Sequence, residues 1–481
     1  MNDRLSKQIF MNSLFIYLGR SINLIINFII FIHIANYLGV QNFGVFSIAL
    51  TLVATSDIVS NFGINQIVVR ELASTSSERN IILGNAILLK LLFSSSAVII
   101  CILLAIIIGY DFEVQIIVAV VALNLLISSK LSSYRSIFET PFQTDLLMVY
   151  PMIYNSLDSF VFMGAVLLVT QVFHFGLLGV AIGYTVANIP GFIFLIINFF
   201  RFNKVKIRIE KKLLKYMIME MMPVAAYLAL STLNTKIDII LLSKLSSKEQ
   251  VGIFSAAVRL VYPLIFFATS FTLSLFPLLS KFYSTERERF YQVFRLGLKV
   301  VSIISLFFVM MLCCHSHKII DTFYIESYSQ SATAFRLLAI ALAFNFFNFY
   351  FVDLFISMKK QRYNTIILFF ALLLNLLLNI IFIPSYGFYA AAWARVMTSA
   401  FVFFSFYFFI LKNLKKLAVL PGRRHILFAF AFMSLQIALA PLNIFLIAIL
   451  GLIGFVSLLF LLRIISKDEI EFFRVLIMKK P

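Results

Sequence analysis

Apolar runs long enough to cross a lipid bilayer recur from one end of this 481-residue chain to the other. The chain is 62% hydrophobic and only 13% charged, and a water-soluble domain of this length could not bury so much apolar surface. A transmembrane barrel would instead show short segments of alternating polarity. The pattern therefore predicts an all-α polytopic membrane protein.

Fourteen transmembrane spans are predicted from these runs. The first begins a few residues after the N-terminus, so we expect it to act as an uncleaved insertion signal. The spans cover 8–36, 43–69, 83–109, 114–138, 146–172, 176–200, 216–243, 250–280, 291–314, 329–358, 364–383, 387–411, 426–440 and 443–462.

The net charge of +19 follows the membrane topology. Most of the 40 Lys and Arg fall at one membrane face, namely in the N-terminus, 201–215, 359–362, 412–424 and the C-terminal tail. Basic residues concentrate on cytoplasmic loops, so both termini are predicted to be cytoplasmic, as an even number of spans requires. A nucleic-acid-binding protein would need a basic folded surface with base-reading side chains, and the sequence offers none.

One segment of the sequence is repeated, and two further pairs of similar segments follow it in the same order. The matching pairs are "FGVFSIALTLVA" from Phe43 and "VGIFSAAVRLVY" from Val251, "ILLK" and "LGLK" ending at Lys90 and Lys299, and "GLLGVAIGYTVA" and "GFYAAAWARVMT" from Gly176 and Gly387. Chance similarity between apolar helices would not keep this order and a nearly constant offset of 208 to 211 residues. Spans 1–6 and 7–12 are therefore predicted to be two parallel copies of a six-helix unit, related by an axis along the membrane normal.

The repeat predicts four regions. An N-terminal six-helix lobe covers 1–200, and a basic cytoplasmic linker covers 201–215. The linker is expected to lie on the anionic inner leaflet as an amphipathic helix. A C-terminal six-helix lobe covers 216–411, and two extra helices with a cytoplasmic tail cover 412–481.

Five basic residues lie deep inside predicted spans, where a charge persists only if it is paired, snorkels or meets water. Asp238 is the obvious acid near this depth, so protein ion pairs would leave most of these cations unmatched. We expect them to line a hydrated cavity and bind substrate, with structural ion pairing as the alternative. Arg20 lies near the middle of span 1, whereas four lie about 12 Å from the extracytoplasmic face of the second lobe: Lys236, Arg259, Arg336 and Arg395.

Arg259 is specific to the second copy, because the first copy has Thr51 at the same place. Pro263 cannot donate a hydrogen bond to the Arg259 carbonyl, so the helix is expected to bend there and expose its backbone. Three further prolines fall inside predicted spans and could act as hinges or as static kinks: Pro151, Pro190 and Pro223.

Polar side chains form a stripe along span 2, with Asp57, Asn61 and Asn65 at i, i+4 and i+8 and Ser60 beside them. The stripe is expected to face the cavity. Asp57 and Asp158 both lie near mid-membrane, and at least one is predicted to take up a proton or a cation during transport, with a structural carboxylate as the alternative. Two shorter pairs, Asn234 with Asp238 and Asn375 with Asn379, either line the cavity or bond neighbouring helices. Lys90 and Lys299 are close enough to the cytoplasmic face to snorkel.

No cofactor or metal is predicted. The three cysteines, Cys101, Cys313 and Cys314, lie in apolar spans and are interpreted as packing residues. His315 and His317 give only a weak metal signal. Glycine-rich phosphate loops are absent, and the loops are too short to hold a catalytic domain, so the chain is predicted not to be an enzyme.

Three segments carry a family resemblance: "YLGVQNFGVFSIA", "TKIDIILLSKLSSKEQVGIFSAA" and "YGFYAAAWARV". The chain resembles the polysaccharide-unit flippases, of O-antigen and teichoic-acid export type, within the multidrug/oligosaccharidyl-lipid/polysaccharide exporter superfamily. The resemblance implies a V-shaped two-lobe fold with two extra C-terminal helices. It also implies that an undecaprenyl-diphosphate-linked oligosaccharide moves from the inner to the outer leaflet of the cytoplasmic membrane.

This reading agrees with the charge pattern, because arginine offers bidentate partners to phosphate oxygens. Membrane lipids are the other expected partners, and a proton or sodium ion is the expected coupling ion. A drug or cation antiporter of the same fold would favour acidic groups in its cavity. A membrane glycan polymerase or glycosyltransferase would need a sizeable extracytoplasmic loop bearing catalytic residues.

Overall fold

The structure, a computed structural model, describes residues 3–74, 78–205, 208–413 and 423–464, and within these ranges it contains helices and no β-strand. The helices are α1 Asp3–Asn61, α2 Ile64–Ser74, α3 Arg79–Ile107, α4 Phe112–Ala122, α5 Asn124–Ile127, α6 Ser136–Thr144, α7 Val149–Leu167, α8 Gly176–Val186, α9 Ile189–Phe202, α10 Lys211–Leu245, α11 Lys248–Val261, α12 Ile265–Thr285, α13 Arg287–Cys314, α14 Ser316–Phe323, α15 Ser331–Ser357, α16 Gln361–Tyr386, α17 Phe388–Asn413, α18 Arg423–Leu439 and α19 Ile444–Leu461.

Each predicted span overlaps at least one apolar helix. In the described part of the chain, 11 helical stretches are long and apolar enough to cross a membrane, and two shorter apolar helices, Phe112–Ile127 and Leu427–Leu439, accompany them. The stretch Leu18–Ser74 holds the first two predicted spans, while the two shorter helices match the fourth and thirteenth. The all-α, polytopic fold class is confirmed. Gly39, with a φ of 69°, separates spans 1 and 2 inside α1, and the left-handed region suits glycine.

The chain forms two compact units, residues 1–255 and 256–481, whose boundary falls inside α11. In the first unit, apolar side chains of α2, α3, α6, α9 and the first half of α10 form one buried cluster. The division into lobes at 200 and 216 stays a prediction.

Spans 4 and 6 are both interrupted, and side-chain amides hold the two breaks together. Asn124, where α4 gives way to α5, donates to Thr185 Oγ1 at 2.9 Å and accepts from Asn188 Nδ2 at 2.9 Å. Pro190 lies in the first turn of α9, where proline leaves no intrahelical hydrogen bond unmade. Pro151 likewise lies in the first turn of α7, so neither is an interior hinge. Of the three predicted hinge prolines, Pro223 lies within its helix.

The described residues of the linker form no separate surface helix. Residues 208–210 are non-helical, and α10 begins at Lys211 and continues directly into span 7. Asn85 fixes the connection from the side of α3, since its Nδ2 donates to the Arg208 carbonyl at 2.8 Å and its Oδ1 accepts from the Glu210 amide at 3.2 Å. The expected amphipathic helix is therefore only the first turns of a transmembrane helix.

The two extra C-terminal helices pack against α13 of the second unit. Phe428 and Phe432 of α18 and Phe455 of α19 form a buried cluster with Ile303. Lys318 Nζ donates to the carbonyl oxygens of Ala440 and Leu442, just beyond the end of α18, as a cation at a helix C-terminus should. The predicted tail and most of 412–424 lie outside the described residues.

Candidate functional site

The helix that carries Arg259 breaks where the proline predicts. Helix α11 ends at Val261, the 3₁₀ turn Tyr262–Leu264 follows, and α12 begins at Ile265. Pro263 lies inside this turn and lacks the N–H that an α-helix would direct at Arg259. The predicted interruption beside the arginine is confirmed.

Arg259 lies beside a buried pair of tyrosines. Tyr324 is 5% exposed, and its hydroxyl donates to the Ala256 carbonyl at 3.1 Å. Burial raises the pKa of Tyr324, and the nearby charge of Arg259 opposes that rise. The ring of Tyr328 packs 5.0 Å from that of Tyr324. Arg259 is therefore fixed next to the connection between α13 and α15, which is predicted to be extracytoplasmic.

Arg336 contacts the same connection from α15. Its Nε and Nη2 lie 3.3 and 3.1 Å from the hydroxyl oxygen of Ser316, the first residue of α14. The residue is exposed, so its guanidinium keeps access to a ligand. Two of the predicted substrate arginines of the second unit thus border one short segment.

The remaining predicted cations differ in burial. Arg395 of α17 is buried, Lys236 of α10 is half-buried, and Arg20 of α1 is exposed. Asp238 is fully buried on α10. Arg395, Lys236 and Asp238 all interact with other groups, so substrate binding by these residues stays a prediction.

The span 2 stripe faces the connection between α5 and α6. Asp57 Oδ2 accepts from the Ser132 amide at 3.1 Å, and Asn65 Nδ2 donates to Ser136 Oγ at 2.8 Å. The Oδ1 atoms of Asp57, Asn61 and Asn65 are buried and accept no hydrogen bond from the protein atoms described. Three acceptor oxygens therefore follow one another along the stripe.

Lys90 does not snorkel to the cytoplasmic face. Its side chain is fully buried, and Nζ donates to the carbonyl oxygens of Ser60 at 2.9 Å and Ser132 at 2.6 Å. Asp57 therefore accepts a hydrogen bond from the Ser132 amide, while Lys90 donates one to the Ser132 carbonyl oxygen. The expectation failed because the carbonyl oxygens of Ser60, near the end of α1, and of Ser132, at the break in span 4, bind the ammonium inside the protein. Lys299 is half-buried.

Arg135 is the residue that the sequence analysis missed. It is fully buried, with Nη1 2.6 Å from Asp158 Oδ2 and Nη2 2.7 Å from Asn155 Oδ1. Glu139 lies at 3.7 Å from its Nε. Arg135 falls at the edge of predicted span 4 and therefore looked like a membrane-face charge, although Asn155 and Asp158 at i, i+3 signalled a buried partner.

A backbone amide binds the Asp158 carboxylate in addition to Arg135. Its Oδ1 accepts from the Gly191 amide at 3.0 Å, and any Cβ at Gly191 would overlap that carboxylate. The ion pair and the close approach give Asp158 the geometry of a structural carboxylate. Asp57 is therefore the better candidate of the two for ion coupling.

The other predicted polar groups make helix–helix or local contacts. Asn375 Nδ2 lies 3.5 Å from Thr398 Oγ1, linking α16 to α17, and Asn379 Nδ2 donates to Asn375 Oδ1 at 2.9 Å. Asn234 donates within its own helix, to Leu230. His315 is buried and bonds to Gln436 at 3.0 Å, whereas His317 is exposed.

The cysteines do not share one environment. Cys101 is fully buried, as a packing residue should be, whereas Cys313 is half-buried and Cys314 exposed. No group of three or more His, Cys, Asp or Glu that could hold a metal ion occurs among the described residues.

The sequence matches two family models. Residues 9–283 match the family described as "Polysaccharide biosynthesis protein", and residues 223–381 match MatE. No curated protein matches the chain. The first match covers more than half of the chain.

Solved structures support the fold at low sequence identity. The lipid II flippase MurJ in an inward closed conformation has a TM-score of 0.73 and 17% identity, covering 97% of this chain and 100% of its own. A transporter of the MOP superfamily from Pyrococcus furiosus has a TM-score of 0.61 and 17% identity, covering 86% and 97%. A mutant of the Vibrio cholerae MATE transporter VcmN has a TM-score of 0.57 and 14% identity, covering 85% and 98%.

Together these findings define a multi-pass helical membrane protein with the fold of the flippase and multidrug-exporter structures. By its sequence, the chain belongs to the polysaccharide biosynthesis protein family.

Proposed function

We propose that this protein is a flippase for undecaprenyl-diphosphate-linked oligosaccharide repeat units. It moves them across the cytoplasmic (inner) membrane for the synthesis of a surface polysaccharide such as O-antigen or capsule. The observation that carries this proposal is Arg259, a cation present in one repeat only and set at a helix break. Membership of the polysaccharide biosynthesis family supports it.

The chemistry of the substrate explains why a charged residue is kept at this depth. A diphosphate carries negative charge and cannot cross hydrocarbon without compensation. An arginine can offer two parallel N–H donors to phosphate oxygens, and Arg259 lies directly before the interruption of its helix. Arg336 borders the same connection and would contribute a second guanidinium. Arg395, Lys236 and Arg20 are the further proposed contacts along the path.

Ion coupling is assigned to Asp57. Its Oδ1 is buried without a hydrogen-bond donor from the described residues, and Asn61 Oδ1 one turn later is in the same state. A proton on Asp57, or a sodium ion held by these oxygens, would satisfy both. Asp158 is the less favoured coupling group because Arg135 already neutralises it.

Restoration of surface polysaccharide tests the proposal. The wild-type chain should restore the polymer to a cell that lacks its own flippase, and Arg259→Ala should not. Arg362→Ala, an exposed arginine on a predicted cytoplasmic turn, is the matched control and should restore it fully. Failure of the wild-type chain with several unrelated repeat units would contradict a flippase function.

A drug or cation antiporter is the second candidate, because residues 223–381 match MatE. That function predicts that expression lowers the sensitivity of a cell to cationic drugs and that Arg259→Ala leaves this protection intact. A glycan polymerase would lengthen chains on purified protein supplied with lipid-linked units. Either result without transport of the lipid-linked unit would replace the flippase proposal.

A further inference from the structure

An open cavity of about 370 Å³ lies in the first unit. Its wall consists of six hydrogen-bonding side chains: His33, Asn36 and Tyr37 of α1, and Thr170, Gln171 and His174 after α7. His33 Nε2 lies 2.9 Å from Thr170 Oγ1, and the Tyr37 hydroxyl accepts from the Gly176 amide at 3.2 Å. The cavity is therefore held together by hydrogen bonds across two helices, near the predicted extracytoplasmic end of both.

An irregular backbone forms one wall of this cavity. Residues Leu168–Phe173 form a π-helix, a rare conformation that often marks functional sites. His174 follows with a φ of 51°, in the left-handed region that non-glycine residues seldom adopt. The widened turn and the left-handed residue together place Thr170, Gln171 and His174 on the cavity wall.

The fold does not require these polar residues, as the second repeat shows. At the offsets of 208 and 211 residues the six positions become mainly apolar, and α16 runs as an ordinary α-helix through the part that corresponds to the π-helix. The counterparts are Leu241, Lys244, Leu245, Ile381, Phe382 and Ser385. The cavity is thus an addition to one lobe, and its polar groups are kept near the membrane for a reason other than folding.

The lining chemistry selects a neutral, hydroxyl-rich ligand. None of the six side chains is a carboxylate, lysine or arginine, so neither an anion nor a cation finds a charge partner among them. Hydroxyls, amides and imidazoles both donate and accept hydrogen bonds, as sugar hydroxyls do. The volume lies within the usual range of small-molecule sites.

We infer that this cavity binds a neutral sugar residue, as an extracytoplasmic subsite for the glycan. The inference rests on the proposed flippase function for the source of that sugar, but the binding itself does not depend on transport. The amide of Gln171 and the hydroxyl of Thr170 would bond to the hydroxyls of this sugar.

Saturation-transfer NMR on the full chain in lipid nanodiscs tests the inference. The probes are free glucose, galactose and N-acetylglucosamine. At least one should receive saturation from the protein, and Thr170→Val and Gln171→Leu should each weaken its binding at least about fivefold, the loss of one hydrogen bond. Gln41→Leu changes an exposed glutamine outside the cavity lining and should leave the signal unchanged.

Three outcomes of the sugar measurement would overturn the inference. They are no signal from any probe, a signal insensitive to both cavity variants, and loss of the signal in the Gln41→Leu control. Zinc is a further probe, because two imidazoles face the cavity; a thermal stabilisation by Zn²⁺ that competes with the sugars, abolished by His174→Ala, would reassign the site to a metal. Sugar binding by a chain that restores no surface polysaccharide would keep this inference and contradict the proposed function instead.

Discussion

Gly44 and Gly252, equivalent residues of the two repeats, lie against each other. A Cβ built on Gly44 would overlap the carbonyl oxygen of Lys248, and one built on Gly252 would overlap that of Val40. Val40 and Lys248 are themselves 208 positions apart, so each copy makes the same contact with the other. That reciprocity is what a twofold relation between parallel repeats produces. The repeated stretch therefore keeps its glycine because the two copies meet backbone to backbone there.

Replacing either glycine should push the two helices apart. Gly44→Ala or Gly252→Ala places a methyl group on a backbone carbonyl that no rotamer change can move. We expect each to cost about 1–3 kcal/mol, the usual effect of overpacking, and to lower the unfolding temperature of the purified protein. Gly164→Ala is the matched control, because its Cβ meets nothing within 4 Å on α7. Equal melting temperatures for all three variants would show that this contact is absent in the membrane.

Removing one member of the buried ion pair should destabilise the first unit. Asp158→Asn leaves buried Arg135 with only the more distant Glu139, at 3.7 Å, as an acidic partner, and breaking a buried ion pair typically costs about 3–5 kcal/mol. The double change Arg135→Met with Asp158→Leu should recover much of that loss, which thermal unfolding in nanodiscs would measure.

An exposed ion pair provides the control for that experiment. Arg79 and Asp145 form a 2.6 Å pair, and Asp145→Asn should cost at most about 1 kcal/mol because solvent screens the charges. A stable Asp158→Asn variant whose transport loses its pH or sodium dependence would instead make Asp158 the coupling group.

Asp57→Asn should flatten the pH or sodium dependence of transport in vesicles. The amide cannot take up a proton and binds a cation more weakly, while its oxygen still accepts from the Ser132 amide. Asn65→Asp is the companion change, because it adds a carboxylate two turns along the same stripe. Wild-type ion dependence in Asp57→Asn would place coupling elsewhere in the chain.

Hydrophobicity and the repeat together were enough to predict most of the fold. Span positions follow from runs of apolar residues, which are local properties of the sequence. The break after Arg259 was equally predictable, because a proline such as Pro263 removes a backbone hydrogen bond from any helix. The break in span 4 could not be predicted, because "ALNLLISSKLSSYRS" contains no proline and continues the helical pattern.

The polar contacts were harder to predict because they depend on tertiary packing. Asp57 and Lys90 were both noticed in the sequence, yet what holds them is the backbone of Ser132, 42 residues beyond Lys90. Arg135 was overlooked for the same reason: a charge at the edge of a span looks cytoplasmic unless its acid partner is known. The π-helix before His174 likewise leaves no simple mark in composition.

Labelling can test the predicted orientation of the second unit. Ser327, between α14 and α15, and Ser284, at the end of α12, are both exposed and predicted to lie on opposite membrane faces. Cysteines placed there, in a background with Cys314→Ser, should differ in reaction with an impermeant maleimide on intact cells. Only the cysteine at 327 should react, and equal labelling would mean that the topology is wrong.

Arg259 should be required for binding the substrate and dispensable for folding. Thr51, buried at the equivalent position of the first repeat, shows that the helix tolerates an uncharged side chain there. Arg259→Ala should therefore accumulate near wild-type levels while export of surface polysaccharide falls at least about tenfold, the effect of one charged hydrogen bond or more. Arg259→Lys keeps the charge without the planar fork, so intermediate activity is expected if the partner is a diphosphate.

A structural role for Arg259 makes a different set of predictions. If the guanidinium mainly supports the buried Tyr324 beside it, Arg259→Ala should be unstable. Arg259→Met keeps the packing and should then recover both the protein level and the export of surface polysaccharide. The Tyr324→Phe variant then separates the two cases, because it removes the hydroxyl bond to Ala256 without touching the charge. Loss of export in stable Arg259→Met, with export retained in Tyr324→Phe, assigns the arginine to the substrate; normal export by Arg259→Met shows that its charge has no part in transport.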